Sequence, residues 1–250
     1  MESYDKALAQ LREAIRGCRH LCVFTGAGIS CPSGIPDFRS ADGLYHQQGR
    51  IGYTPEQIIS HSFFTAHTGE FYEFYRDKML YPDALPNAAH RYFAALEQSG
   101  KRVSVVTQNI DGLHQAAGSK EVYELHGSVH RNRCTRCGRR FDMAYIAKSH
   151  GIPRCPDDDA VIKPEVVLYE ESLDDTVVDG AIRAISDADV MLVIGTSLAV
   201  YPAAAYVQCF RGDLLALINR SATGYDAQAD LVFHEDIIRV VAGLLGDEQN

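Results

Sequence analysis

Positive charge is scarce in this 250-residue chain: 24 Lys and Arg stand against 33 Asp and Glu, a formal net charge of −9. That balance argues against holding nucleic acid or an anionic membrane surface by bulk electrostatics. It suits a cationic substrate, although acidity alone is common. The opening residues, MESYDKALAQL, lack a basic stretch followed by an apolar one, so no secretory signal is read there. There is no internal repeat and no low-complexity tract. Residues 190–210 carry no charge and invite a membrane-span reading, but they contain Gly195, Thr196, Ser197 and Pro202. They read as a buried strand, a turn and a helix. Seven cysteines do not divide into pairs, and Cys134 with Cys137 forms C-x-x-C. In an intracellular chain that pattern suggests metal or thiol chemistry sooner than disulfides. The expectation is a cytoplasmic protein, monomeric or weakly oligomeric, with no nucleic-acid or membrane partner.

What is present is enough apolar residue, 46%, for one large core and a smaller satellite. Short aliphatic runs recur at 20–25, 102–107, 121–126, 165–169, 189–195, 214–219 and 230–234. Near-continuous apolar runs indicate strands covered on both faces, as in a parallel sheet. Helical patterns lie between them at about 3–17, 87–99, 173–186, 202–210 and 236–245. Ser172 with Asp175 resembles an N-terminal cap, and Asp236 suits the same role for the last helix. The alternation implies an open, doubly wound α/β fold with a parallel sheet. Residues 41–85, with a helical stripe at EFYEFYRDKML, and 128–164, with the C-x-x-C, many charges and three prolines, do not fit it and read as insertions into the main sheet.

Three stretches carry chemistry. In VFTGAGISCPSGIPDFRS (23–40) a strand turns into Gly26-Ala27-Gly28, where missing Cβ atoms let backbone N–H groups approach a pyrophosphate. Position 31, where a dinucleotide fingerprint has its third glycine, is Cys31, and no immediate helix is read. Gly-Ala-Gly alone also suits an ordinary tight turn, but GIPDFR suits a mobile flap over a nucleotide. VVTQNIDGLH (105–114) places Gln108, Asn109, Asp111 and His114 at the carboxyl end of a strand, where open α/β sheets bind ligands. Asn and Asp serve equally as turn formers there. YELHGS (123–128) ends a strand in His126; such a histidine is often structural, yet neutral imidazole is the natural base for a ribose hydroxyl.

Taken together with KPEVV (163–167), GTS (195–197) and IN (218–219), these motifs occur in the order and approximate spacing of the sirtuins. The chain resembles that family of NAD-dependent protein-lysine deacylases from about residue 10 to 245, in its bacterial, single-core form. That likeness implies an α/β fold with a Rossmann-like, doubly wound parallel sheet as NAD-binding domain (1–40, 86–127 and 165–250). It also implies a smaller inserted zinc-ribbon and helical domain, divided into a helical module (41–85) and a zinc-binding module (128–164). The resemblance implies NAD contacts at Gly26, Ala27, Gly28, Phe38, Arg39, Gln108, Ile110 and Asp111. It implies further contacts at Gly195, Thr196, Ser197, Asn219 and Ile237, with Asp236 nearby. Asn109 would order the ribose and a water, and His126 would be the general base. The implied reaction deacylates lysine in acyl-lysine proteins or peptides, deacetylation foremost, and yields nicotinamide and O-acyl-ADP-ribose. Protein ADP-ribosyl transfer, NAD hydrolysis and a non-enzymatic NAD or ADP-ribose sensor are the alternatives.

The chain departs from the family at three places. After Cys134, Cys137 and Cys155 the fourth metal position is Asp158, not cysteine, with Asp157, Asp159 and His150 as other donors. Zinc accepts carboxylate oxygen, so a structural Cys₃Asp site is expected. Tyr169-Glu170-Glu171 stands where the family has Phe-Gly-Glu, in a segment that would pair with substrate peptide. The Tyr-x-x-Arg pair of acidic-acyl specialists has no clean match in FYEFYRDK, where Tyr72 and Arg76 are four apart. Acetyl or longer neutral acyl groups are therefore expected over succinyl.

Overall fold

A computed structural model describes residues 2–37 and 52–246. Its strands are β1 (His20–Thr25), β2 (Arg102–Thr107), β3 (Val122–Glu124), β4 (Gly127–Cys134) and β5 (Arg140–Phe141), followed by β6 (Ile162–Val166), β7 (Val190–Ile194), β8 (Leu214–Ile218) and β9 (Leu231–Phe233). Six of them make a sheet in the order β3-β2-β1-β7-β8-β9, every pair parallel. The helices in chain order are α1 (Glu2–Gly17), α2 (Pro55–Ile58), α3 (His61–Ala66), α4 (Thr68–Lys78) and α5 (Ala88–Gln98), then α6 (Leu113–Ala117), α7 (Met143–Lys148), α8 (Asp175–Ser186) and α9 (Ile237–Leu245).

The apolar runs are continuous because alternate residues enter different cores. Leu21, Val23, Leu192 and Ala216 pack with Leu11 of α1 and Val240 of α9 on one face. Cys22, Phe24, Val193 and Leu217 pack with Ala181 and Ile185 of α8 on the other. A strand with helices on both sides has no polar face to show in its sequence.

The expected strand at 165–169 is corrected. The strand is β6, it ends at Val166, and it pairs antiparallel with β4 in a separate three-stranded sheet, β5-β4-β6. Burial alternates along it, with Ile162, Pro164 and Val166 inside, which is the mark of a sheet with one solvated face. The cap of α8 is also different: Asp174, not Ser172, accepts from the Thr176 and Val177 amides, because the helix starts only at Asp175. Asp236 caps α9, accepting from the Ile238 amide. Directly after β1 comes a 3₁₀ helix, Ala27–Ser33, where no immediate helix was expected. A short 3₁₀ segment containing Pro32 shows no 3.6-residue apolar stripe. The helical pattern at 202–210 is likewise a 3₁₀ segment, Ala203–Cys209.

A third core joins segments far apart in sequence. Phe64, Phe71, Tyr72 and Tyr75 from α3 and α4 pack with Val129, Ile146, Ile162 and Val166 beside the small sheet. Among the described residues no helix is long and apolar enough to cross a membrane.

Candidate functional site

The chain steps outward from β1 through β2 to β3, then returns to β7 beside β1 and steps the other way to β9. Ligands bind open parallel sheets at such a reversal, beyond the carboxyl ends of the strands. A cleft of about 890 Å³ lies there. Gly26, Ala27 and Gly28 line it after β1, and Gln108, Asn109, Ile110 and Asp111 after β2. His126 joins them from the turn between β3 and β4, two residues past the strand expected to carry it. Gly195, Thr196 and Ser197 line it after β7, Asn219 after β8, and Asp236 and Ile237 at the start of α9. Phe38 and Arg39 lie outside the described residues, as do 41–51 of the helical module.

The glycines are closely packed where the β1 and β7 loops meet. Gly26 N–H donates to the Ile194 carbonyl (3.0 Å) and Gly28 N–H to the Gly195 carbonyl (2.8 Å), so these two amides are engaged within the protein. A Cβ on Gly26 would sit 2.7 Å from Thr196 Cβ, and one on Gly28 would sit 2.7 Å from Gly195 Cα. Both glycines are needed for the β1 and β7 loops to press together at the base of the cleft.

Ser30, from the same 3₁₀ segment, is fully buried and joins two cleft residues. Its hydroxyl donates to Asp111 Oδ2 at 2.7 Å and accepts from Asn109 Nδ2 at 3.1 Å. The second Asp111 oxygen accepts from the Leu113 amide at 2.9 Å. Burial raises the Asp111 pKa above the usual carboxylate value, against the lowering pull of these two donors. Ser30 stands in the GAGIS stretch, but a serine after a glycine turn reads as turn chemistry, and its partner is 81 residues away.

His126 has its tautomer set by one contact. Its Nδ1 lies 2.9 Å from the Gln108 carbonyl oxygen, which only accepts, so Nδ1 carries the proton and Nε2 is a bare acceptor. Burial lowers its pKa below 6.5, opposed by that hydrogen bond. A neutral imidazole with a free nitrogen in a cleft is the form a general base needs.

The floor of the cleft near 168–171 is tied to α3. Tyr169 N–H donates to the Ile59 carbonyl and His61 N–H to the Tyr169 carbonyl, both at 3.0 Å. Glu170, at φ 75°, accepts from the Ser62 amide (2.8 Å) and hydroxyl (2.9 Å). Glu171 meets His61 and Lys163 at 2.8 and 3.0 Å. On α4, Arg76 lies over the Tyr72 ring at 5.6 Å and the Tyr72 hydroxyl donates to the Ile162 carbonyl, a packed helix face. The cleft is lined instead by Tyr75, Lys78 and Met79 of that region.

Away from the cleft, Cys134, Cys137, Cys155 and Asp158 bring one ligand atom each within 4.8 Å of one another. A tetrahedral zinc with Zn–S bonds of about 2.3 Å needs sulfurs about 3.8 Å apart. The Cys137 and Cys155 sulfurs are 3.7 Å apart, and Cys134 Sγ is 3.3 Å from Asp158 Oδ1. The amides of Arg136 and Cys137 donate to Cys134 Sγ, as they would to a thiolate. The donor set and spacing fit zinc. Among the described residues Asp157 is paired with Arg139 instead, and neither Asp159 nor His150 joins the cluster.

A family model described as the Sir2 family matches residues 26–202. A Clostridium acetobutylicum protein named NAD-dependent protein deacetylase is 52% identical over 93% of this chain and 95% of its own length. A solved structure of Sir2 with deacetylated p53 peptide and 3′-O-acetyl ADP-ribose superposes with a TM-score of 0.87 at 36% identity, over 96% of this chain and 98% of that one. Another, Sir2Tm bound to a propionylated peptide, gives 0.83 at 35% identity over the same shares.

Proposed function

The chain belongs to the Sir2 family, and we propose on that premise that it is an NAD-dependent protein-lysine deacylase, acting first on acetyl-lysine. The observation that carries this is His126: neutral, with Nε2 bare, held by the Gln108 carbonyl inside the cleft at the strand reversal. NAD, when bound, supplies a nicotinamide–ribose bond whose breaking leaves a carbon for the acyl oxygen to capture; no electron is transferred.

The residues present suit that chemistry. Gln108, Asn109, Ile110 and Asp111 surround the place for the nicotinamide ribose, with Asn109 and Asp111 held to one another by Ser30. His126 Nε2 takes the proton of a ribose hydroxyl, which arms that oxygen to attack the acyl carbon. General-base help of this kind contributes roughly 10²–10⁴ in rate. Gly26, Ala27, Gly28, Gly195, Thr196 and Ser197 wall the phosphate and ribose side, and Asn219 and Ile237 the adenosine end. Phe38 and Arg39 belong to the same reading as contacts from the loop. Acyl-lysine peptide is the second substrate, supported by the relatives solved with acetylated and propionylated peptides.

Cys134, Cys137, Cys155 and Asp158 would hold one structural zinc, which ties β4 to the loop before β6. The division into an NAD-binding domain (1–40, 86–127, 165–250) and two inserted modules is part of this reading and is supported by the two separate sheets. A cytoplasmic location belongs to the same reading, since a cluster of three cysteines with metal-ligand spacing suits a reducing compartment.

The test is mass spectrometry of an acyl-lysine peptide panel with and without NAD. Nicotinamide and O-acyl-ADP-ribose should form one for one with deacylated peptide, and His126→Ala should abolish this while the protein stays folded. Nicotinamide formed without deacylation would favour NAD hydrolysis or ADP-ribosyl transfer. Wild-type turnover in His126→Ala would remove the general base from the reading.

A further inference from the structure

Behind the cleft, His90 and His114 are buried and take no part in the chemistry described above. Each has one ring nitrogen with a partner and one without: His90 Nε2 and His114 Nδ1 lack any hydrogen bond. Their ring centroids are 4.8 Å apart, edge to face.

The partners on the other nitrogens settle the protons. The Asn87 amide donates to His90 Nδ1 (3.3 Å), so Nδ1 is bare and neutral His90 carries its proton on Nε2. The Thr25 hydroxyl donates to Thr107 Oγ1 (2.8 Å), so toward His114 Nε2 (3.1 Å) it accepts, and His114 carries its proton on Nε2. His114 Nδ1 is then bare. The two orphaned atoms are thus one donor and one acceptor on neighbouring rings, in a place where an unmade hydrogen bond is expensive. Beyond Thr25, Thr107 Oγ1 also accepts from the Asn109 amide at 3.0 Å.

We propose that His90 and His114 are positioning residues, joined through one water into a hydrogen-bond chain that runs one way from the start of α5 to Thr107, the acceptor to which the Asn109 amide also donates. The chain is Asn87 to His90 to His114 to Thr25 to Thr107, where it meets the Asn109 amide. It anchors the loop whose Gln108 carbonyl sets the His126 tautomer and whose Asn109 and Asp111 side chains share Ser30. Burial supports the neutral state of both rings: it pushes the His90 pKa down to about 4 and that of His114 well below the ordinary value. The inference rests on the deacylase reading for its kinetic consequence, and on geometry alone for the tautomers.

Two substitutions at one position separate positioning from mere packing. His90→Asn keeps an acceptor near Nδ1 for the Asn87 amide but cannot reach His114. His90→Gln reaches toward His114 and gives up the Nδ1 contact. In NAD-dependent deacetylation of one peptide, His90→Asn should lower kcat by about threefold to tenfold, the scale of one net hydrogen bond, with the peptide KM unchanged. His90→Gln should restore most of it. Wild-type kcat in His90→Asn, or equal losses in both variants that follow their melting temperatures, would overturn the proposal. Wild-type protein with no deacetylation at all would instead sink the function reading. Imidazole ¹⁵N spectra of the unmutated protein test the chain without any variant. Both rings should be neutral with the proton on Nε2 from about pH 5 to 8, and a proton on Nδ1 of either ring refutes the assignment.

Discussion

Removing the Ser30 hydroxyl is the sharpest probe of the cleft. Ser30→Ala strips one donor from Asp111 and one acceptor from Asn109 in a buried place. A hydrogen bond to a charged group contributes about 1.5–3 kcal/mol, and a neutral one about 0.5–1.5. The sum, with some relaxation, is a destabilisation of roughly 2–3 kcal/mol. For a chain of this size each kcal/mol moves the melting temperature by about 2–4 °C, so a fall of about 4–12 °C is expected. The sign of the pH dependence follows from Asp111. Its folded pKa is raised, so its ionisation weakens folding as pH rises from the unfolded value through the folded one. Loss of Ser30 raises that pKa further and deepens the effect at neutral pH. Asp111→Asn removes the charge; its single amide oxygen accepts from the Leu113 amide, and its NH2 group faces the Ser30 hydroxyl, which then accepts where it had donated. That variant should be more stable than wild type near pH 7 and inactive, a trade of stability for function. Calorimetry of wild type, both single variants and the double variant closes the cycle. A coupling of about 1–2 kcal/mol between the sites is expected, and additive effects within experimental error would refute the reasoning.

Three further outcomes follow from the geometry. Because burial holds the His126 pKa below 6.5, the acid limb of kcat/KM should have its midpoint below that value, read from a pH–rate profile. Gly28→Ala forces a Cβ to 2.7 Å from Gly195 Cα, backbone against backbone, and should cost about 1–3 kcal/mol in denaturant unfolding. A strong chelator should release one zinc per chain and lower the melting temperature. Asp158→Cys, which completes a four-sulfur set, should slow that release; metal analysis and a colorimetric zinc dye check both.

Much of the molecule was legible from its residues. The strands at 20–25, 102–107, 190–194 and 214–218 announce themselves because burial on both faces leaves unbroken apolar runs. The loop motifs that line the cleft are equally visible, since glycines and short polar side chains cluster at strand ends. The segment at 165–169 misled because Ile162, Pro164 and Val166 alternate with Lys163 and Glu165, and the run looks apolar only if begun late.

Sequence by itself determined which side chains were available: an imidazole after β3, a polar loop after β2, three thiols and a carboxylate close in the chain. Periodicity and spacing act over a few residues, so they reach that far. Tertiary structure alone decided which atoms meet. Ser30 with Asp111, Gly28 with Gly195, His90 with His114, and the aromatic helix with the metal-cluster sheet are contacts across long stretches of chain. The protonation of His126 is of the same kind, because one carbonyl placed 2.9 Å from Nδ1 chooses the nitrogen left free to act.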